Sequence, residues 1–472
     1  MMEERPFAPP KRYEKTGGFW TPGPDSRVLL FGERRDELSG LVSLLEEEYP
    51  ALAAMARVEE EPPRPGDVAL CLGRPEELAG AETFREGYVL RVGQWVELTA
   101  QSLRGAVYGL RRMMELAGEG GVPRGTLADW PDSGERALHL DMGRKHYTPE
   151  WIARRIRDMS RNRMNTLWLH FSETEGFRIA CDSHPEVPSL LYHSKEEIRG
   201  LIRLANAYQI DVNPSLDSPG HLGQALREHP RWQLPRRDGS RLHSALDITS
   251  PDAVGFFRDL LDEYMDLFSG SKVFHIGGDE FIDFRDFSPY PVMDAWAKER
   301  LGPEYTGVDT YVHYLNEITA RIRAGGFQVR VWNDGLYRTD VNQRLELDRD
   351  IQIAYWSRWD GNMAPLSAFL DRGHRVVNYH SGYLYYILLT EEWYTDPDGT
   401  RILSRWAPDL FPDSDSRGGG QGQRLPENRR DLLLGCAFSV WSDWPHLQKE
   451  EEVEMRSRDA MRAMGMRCWA WK

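Results

Sequence analysis

From Arg136 onward the chain repeats one unit, a short apolar run followed by an amphipathic helical stretch. The runs are ALHLDM (137–142), TLWLHF (166–171), IDVNPSL (210–216), KVFHIGG (272–278), QVRVWN (328–333), IQIAYW (351–356), HRVVNYH (374–380) and LGCAFSVW (434–441). Between most of them, as at 149–162, 195–208, 251–268 and 309–325, apolar residues recur at helical spacing. Strands that alternate with helices pair in parallel, because a parallel pair needs a crossover connection. This repetition predicts an α/β fold, a closed (β/α)8 TIM barrel.

The preceding residues read differently. SRVLLFG and DVALCLG are short strands, EGYVLRVGQWVELTA alternates like a hairpin about Gly93, and 103–116 has helical spacing. We therefore expect a small N-terminal α+β domain over 1–132 and the catalytic barrel over 133–472. The barrel region exceeds the roughly 250 residues usual for this fold. Its surplus is expected in loops, including the Gly-rich stretch 412–423.

Composition narrows the function classes. A net charge of −15 argues against nucleic acid or an anionic membrane as partner. No segment approaches the roughly 18 uninterrupted apolar residues of a membrane helix. The N-terminal MMEERPFAPPKRYEK lacks the apolar stretch of a signal peptide, which predicts a cytosolic protein. Cys71, Cys181, Cys436 and Cys468 lie far apart and read as small buried apolar residues, not a disulfide framework. No His/Cys/carboxylate cluster has ligand spacing, so neither a metal nor another cofactor is expected.

Nearly every expected strand ends in residues useful for chemistry: Asp141 to Arg144, His170, Asp217, Asp279-Glu280, Trp332 to Asp334, Tyr355-Trp356, Tyr379-His380 and Trp441 to Asp443. In a barrel these ends converge on one face. HIGGDE (275–280) is the sharpest motif. Adjacent strand residues point to opposite faces, so Asp279 and Glu280 share a site only if strand geometry ends before them. Gly277 and Gly278 would permit that. A bare GGDE also fits a helix-capping Asp beside a solvated Glu.

RALHLDMGRKHYTPEWIARRIRDMSRNRMNTLWLHFSETEGFRI, PSLDSPGHL, FHIGGDE and the Trp-bearing strand ends, in this order, resemble family 20 of the glycoside hydrolases. The combination LHFSETEGFR with SLDSPGHL is most similar to the bacterial branch that includes lacto-N-biosidases. The resemblance implies a retaining exo-glycosidase, a β-N-acetylhexosaminidase acting on glycans with a terminal N-acetylhexosamine. In that family the substrate's own 2-acetamido oxygen is the nucleophile, an exception to the two-carboxylate rule. Glu280 would be the general acid and then base, with a raised pKa, and Asp279 would orient the acetamido group as a carboxylate. Tyr383 would hold the acetamido carbonyl, and Arg136 would grip hydroxyls of the terminal sugar. Trp332, Trp356 and Trp441 would wall the pocket, while Asp217 and His221 would support the acid. His170 reads as a satisfied core histidine or as part of the same network.

Three positions depart from the family pattern. Ser172-Glu173-Thr174 replaces a Ser-Asp-Asp arrangement, Tyr385 stands where an acid follows the site tyrosine, and Asp443 replaces a Glu. These positions surround the far side of the terminal sugar. They keep open a lacto-N-biosidase that releases a disaccharide, and a non-catalytic glycan-binding barrel is the further alternative.

Overall fold

The computed structural model describes residues 7–58, 61–80, 85–118, 120–391, 394–414 and 422–471. The N-terminal region is one seven-stranded sheet covered by helices. Its strands are β1 (Arg12–Trp20), β2 (Val28–Phe31), β3 (Ala56–Val58), β4 (Val68–Leu72), β5 (Tyr88–Val92), β6 (Val96–Ala100) and β7 (Val122–Asp129). They lie in the order β1-β7-β5-β6-β4-β2-β3. β5 and β6 form the expected antiparallel hairpin, from Tyr88 opposite Ala100 to Val92 opposite Val96. The helix Leu103–Leu116 starts where the Ser102 side chain accepts a hydrogen bond from Gly105 N, and it packs its apolar stripe on this sheet.

Eight parallel strands follow: β8 (Glu135–Asp141), β9 (Thr166–His170), β10 (Asp211–Ser215), β11 (Val273–His275), β12 (Gln328–Trp332), β13 (Gln352–Tyr355), β14 (Val376–Asn378) and β15 (Leu433–Trp441). Each pairs with the next, and β15 pairs with β8, so the sheet closes into a barrel without edges. All eight coincide with the apolar runs within a few residues. Helices Pro149–Arg161, Lys195–Ala207 and Pro251–Leu267 begin at the N-caps Thr148, Ser194 and Ser250, each cap contributing about 1 kcal/mol. Of the Gly-rich stretch, 415–421 lie outside the described residues. No helix among the described residues is long and apolar enough to cross a membrane.

The two-residue period divides the barrel into two cores. Leu138 and Leu140 face the helices, whereas Ala137 joins Trp168, Trp332, Ala354, Val377, Tyr379 and Ala437 inside the barrel. Small residues opposite large ones let two indoles fit within eight strands. The lower end is closed by Arg330, which pairs with Glu135 at 2.7 Å and lies over Trp168. The upper end is open, and Trp332, Tyr385 and Trp441 lead out of it.

Candidate active site

A pocket of about 140 Å³ opens at the carboxyl ends of the strands. Its lining includes Asp279, Glu280, Trp332, Trp356, Tyr385 and Trp441, with Arg144, Glu173, His221, Ile387 and Asp443. A larger hollow of about 670 Å³ lies on the small domain, among Arg34, Arg74, Arg85 and Gln101, and contains none of these strand-end groups.

β11 ends at His275, four residues before the acidic pair. Gly277 and Gly278 then take φ of +70° and +94°, and Glu280 itself sits at +44°. A Cβ on Gly277 would lie 2.7 Å from Asp217 Oδ1, so glycine is required twice over, by conformation and by contact. The turn delivers both carboxyls to one pocket. Asp334, at the end of β12, fixes this geometry: Oδ2 accepts from Glu280 N at 3.0 Å and Oδ1 accepts from Trp356 Nε1 at 3.2 Å. The Asp279 side chain is only 14% exposed and its buried Oδ1 has no hydrogen-bond partner, whereas the Glu280 side chain is 51% exposed.

A polar chain supports the pair. Arg144 Nη1 lies 2.8 Å from Glu173 Oε1, and Glu173 Oε2 lies 2.8 Å from His221 Nδ1. His221 Nε2 is 3.5 Å from Glu280 Oε2 and 3.8 Å from Asp279 Oδ2. His170 joins through Nε2, 3.1 Å from Glu173 and 3.6 Å from Asp217, with Nδ1 against Ser215 Oγ. Donor atoms of His170, Glu173 and Asp217 fall within 4.8 Å of one another. Arg144 already supplies the cation beside Glu173, so we read His170 and Glu173 as part of this polar chain, with the Asp217 carboxylate beside it and without a hydrogen bond of its own.

Burial opposes charge on Glu173, but Arg144 and His221 outweigh it and hold the carboxyl well below the usual range. Burial also opposes the His221 imidazolium, which Glu173 and Asp279 nevertheless hold well above its ordinary value. The acidic pair reverses expectation in the free protein. Burial, with Asp217, Asp334 and Glu280 nearby, pushes Asp279 well above the carboxylate range. Glu280 is lowered, because His221 faces its exposed carboxylate. Burial likewise raises Asp217 and Asp334, each to about 6.

The structure moves two further assignments. Arg136 is the second residue of β8, at the opposite end of the barrel. Its guanidinium is consumed there by Glu86, by the carbonyls of Arg163, Ser133 and Gly134, and by Tyr108. Arg144, beyond the carboxyl end of the same strand, is the arginine in the pocket. Tyr383 lies in a short helical turn, Ser381–Leu384, under the Arg401 guanidinium and edge-on to His380. Two residues later a short strand, Tyr385–Ile387, pairs with the upper part of β15 and sets Tyr385 in the pocket. The Tyr385 ring is parallel to Trp356 at 6.0 Å and 5.6 Å from Trp441. Trp332 forms the floor, 5.9 Å from Trp441 and 6.5 Å from Trp356.

Residues 135–471 match the profile of glycosyl hydrolase family 20, catalytic domain, and residues 10–130 match that family's domain 2. The chain belongs to glycosyl hydrolase family 20. A lacto-N-biosidase of Bifidobacterium bifidum is 27% identical over 460 residues, covering 96% of this chain and 38% of that protein. A β-hexosaminidase of Vibrio furnissii is 30% identical over 236 residues, 43% of this chain and 38% of that protein. The chain thus spans well under two thirds of these relatives. Among solved structures, the β-N-acetylhexosaminidase of Bacteroides fragilis superposes with a TM-score of 0.75 at 19% identity, over 98% of this chain and 89% of that one. A mutant Streptomyces plicatus β-hexosaminidase in complex with GlcNAc gives 0.71 at 18%, with the same coverage. These likenesses establish the family 20 fold.

Sequence reasoning placed Arg144 and Asp334 among the strand-end groups without giving either a role, and it passed over Ile387. Ile387 carries no chemical signal, and only the added strand shows that it faces the pocket.

Proposed function

We propose that the chain is a retaining exo-β-N-acetylhexosaminidase that works by substrate-assisted catalysis. The observation that carries this reading is the orphaned Asp279 Oδ1 inside an aromatic pocket, with Glu280 half-exposed at its mouth. A buried acceptor without a partner is costly unless a ligand supplies a donor. The N–H of a 2-acetamido group is such a donor. The buried indole N–H groups of Trp332 and Trp441, also unpartnered, are donors suited to sugar hydroxyls or a carbonyl.

Tyr385 takes the role expected of Tyr383 and holds the acetamido carbonyl for attack. That oxygen bonds to the anomeric carbon as the glycosidic C–O bond breaks, and the leaving oxygen takes its proton from Glu280. Water then attacks the same carbon, giving its proton back to Glu280, and the acetamido ring opens with overall retention. Substrate binding must invert the charge order of the free protein. An N–H on Asp279 favours its carboxylate, while a sugar covering Glu280 favours the protonated acid. Glycans ending in β-linked N-acetylhexosamine are the partners, and the four free cysteines agree with a cytosolic setting.

A second reading, lacto-N-biosidase action, draws on one observation. With Tyr385 as the site tyrosine, the family's acid two residues on becomes Ile387, an apolar residue in the pocket wall. Losing that hydroxyl partner suits a site that accepts a longer unit. Aryl β-GlcNAc, β-GalNAc and β-lacto-N-bioside glycosides assayed together separate the readings. Turnover of the monosaccharide glycosides supports the first. Turnover of the disaccharide glycoside alone replaces it with the second, and binding without hydrolysis of any of them leaves a lectin.

A further inference from the structure

Away from the pocket, two loops on the same face of the barrel meet at His184, Glu186 and His229. His184 and Glu186 belong to the connection after β9 and His229 to the connection after β10. One donor atom from each converges within 4.8 Å of the others. Glu186 Oε1 is the hub, 2.7 Å from His229 Nε2 and 3.3 Å from His184 Nδ1. We propose that this cluster binds a divalent transition-metal ion, zinc by preference, and clips the two loops together.

Two imidazoles and a carboxylate are a borderline-soft donor set suited to zinc, leaving one position for water. Tetrahedral bonds of about 2.0–2.1 Å place neighbouring ligand atoms about 3.3 Å apart. The His184 contact with Glu186 already has that spacing, the His229 contact is about 0.6 Å shorter, and all three donor atoms lie within 4.8 Å of one another.

The surroundings are those of a held ligand set. The outward nitrogen of His184, Nε2, is buried without a hydrogen bond, and Asp259 Oδ2, on a side chain 63% exposed, lies 3.5 Å away, where it would accept from Nε2 once a metal fixed the ring. Phe256 packs edge-on to His184 at 4.6 Å, and Trp232 stacks on His229 at 4.3 Å. Glu263 accepts from the backbone N–H of Asp182 and Ser183, which fixes the loop just before His184. Gln224 Nε2 donates to Val187 O at 3.0 Å and ties the loops a second time.

The consequence for the enzyme lies in what these loops carry. The first bears Glu173 and the second His221, the two middle members of the polar chain to Glu280. A metal between their outer portions would hold both at one spacing, without touching the sugar.

The test uses the tag-free full chain, stripped with chelator and titrated with zinc. One zinc retained per chain after gel filtration is expected, together with a zinc-specific rise in Tm that magnesium does not give. Cobalt in its place should show the visible d–d bands of a four-coordinate ion. The double substitution His184→Gln/His229→Gln should weaken zinc binding at least about 100-fold, and Asp259→Asn about 10-fold. Zinc should also slow proteolysis within 216–250. No retained zinc overturns the proposal. So does equal retention by a double variant whose chelator-treated Tm matches the parent, since that zinc would be adventitious. Unchanged proteolysis would overturn the loop-clip role. None of these readouts involves glycoside hydrolysis, so the outcome is independent of the proposed activity.

Discussion

Tyr383 and Tyr385 differ by two positions and by everything that matters to chemistry. One stacks under Arg401 outside the pocket, and the other lies within it, parallel to Trp356. Tyr385→Phe is therefore expected to lower kcat by about 10²-fold, the scale of losing one transition-state hydrogen bond. Tyr383→Phe should stay within a few-fold of the parent. Comparable loss from both, in matched assays on an aryl β-N-acetylhexosaminide, would refute the assignment. Glu280 offers a second test. His221 lowers its pKa in the free chain, yet the acid role needs a proton. kcat/KM follows ionisations of the free enzyme and kcat those of the complex. The basic limb of kcat should thus lie at higher pH than that of kcat/KM. In His221→Asn the opposing cation is gone, Glu280 keeps its proton to higher pH, and the kcat/KM limb should move up. Coincident limbs that His221→Asn leaves in place would contradict this account.

At the scale of an element, the end of β11 decides whether two adjacent acids can act together. The strand stops at His275, and two left-handed glycines turn the chain before Asp279. Gly277→Ala puts a Cβ into the left-handed region, costing about 1–2 kcal/mol, and against the Asp217 carboxylate besides. A lower Tm is expected, with a drop in kcat/KM of at least about 10-fold as Asp217 and the turn shift. A variant with the parent's Tm and kinetics would show that the turn tolerates other geometry. The strand Tyr385–Ile387 is the opposite case. Nothing in SGYLYYI distinguishes a helical turn followed by three strand residues from a continuous strand. Its pairing with β15 makes these three residues a strand and places Tyr385, two positions after Tyr383, in the pocket.

The whole molecule is organised by the barrel's polarity. Arg136 lies at the amino end of β8, paired with Glu86 of the small domain, and so joins the two domains. Arg144 lies beyond the carboxyl end, paired with Glu173 at the pocket. Arg136→Ala is expected to destabilise the fold by about 3–5 kcal/mol, the scale for breaking a buried pair. The KM of the folded fraction should be unchanged, whereas Arg144→Ala should raise KM. A raised KM in Arg136→Ala would reverse this division. Stability should also depend on pH through the buried carboxyls. Asp217 is raised to about 6 in the folded chain, above its unfolded value, so folding takes up a proton in acid. That contribution is complete below pH 4 and is lost as pH rises through about 6. Tm of Asp217→Asn relative to the parent should therefore rise between pH 5 and pH 8. A constant difference would mean that Asp217 titrates normally.

Much of this was legible in the chain because it depends on local periodicity. The eight strands, the helices between them, the small α+β domain and the clustering of Asp279, Glu280, Trp332, Trp356 and Trp441 follow from pattern and strand direction, whereas Glu173 and His221 were reached only through the family resemblance. Three matters were not local. Which arginine reaches the pocket depends on which end of β8 it lies at, and which tyrosine does so depends on a strand pairing made more than 50 residues away in sequence. The opposite pKa shifts of Asp279 and Glu280 depend on packing, which buries one beside Asp217 and Asp334 and sets the other against His221. Residue order determined the barrel and the face that carries its chemistry. Only packing decided which groups reach that face and in which direction the pKa of each is shifted.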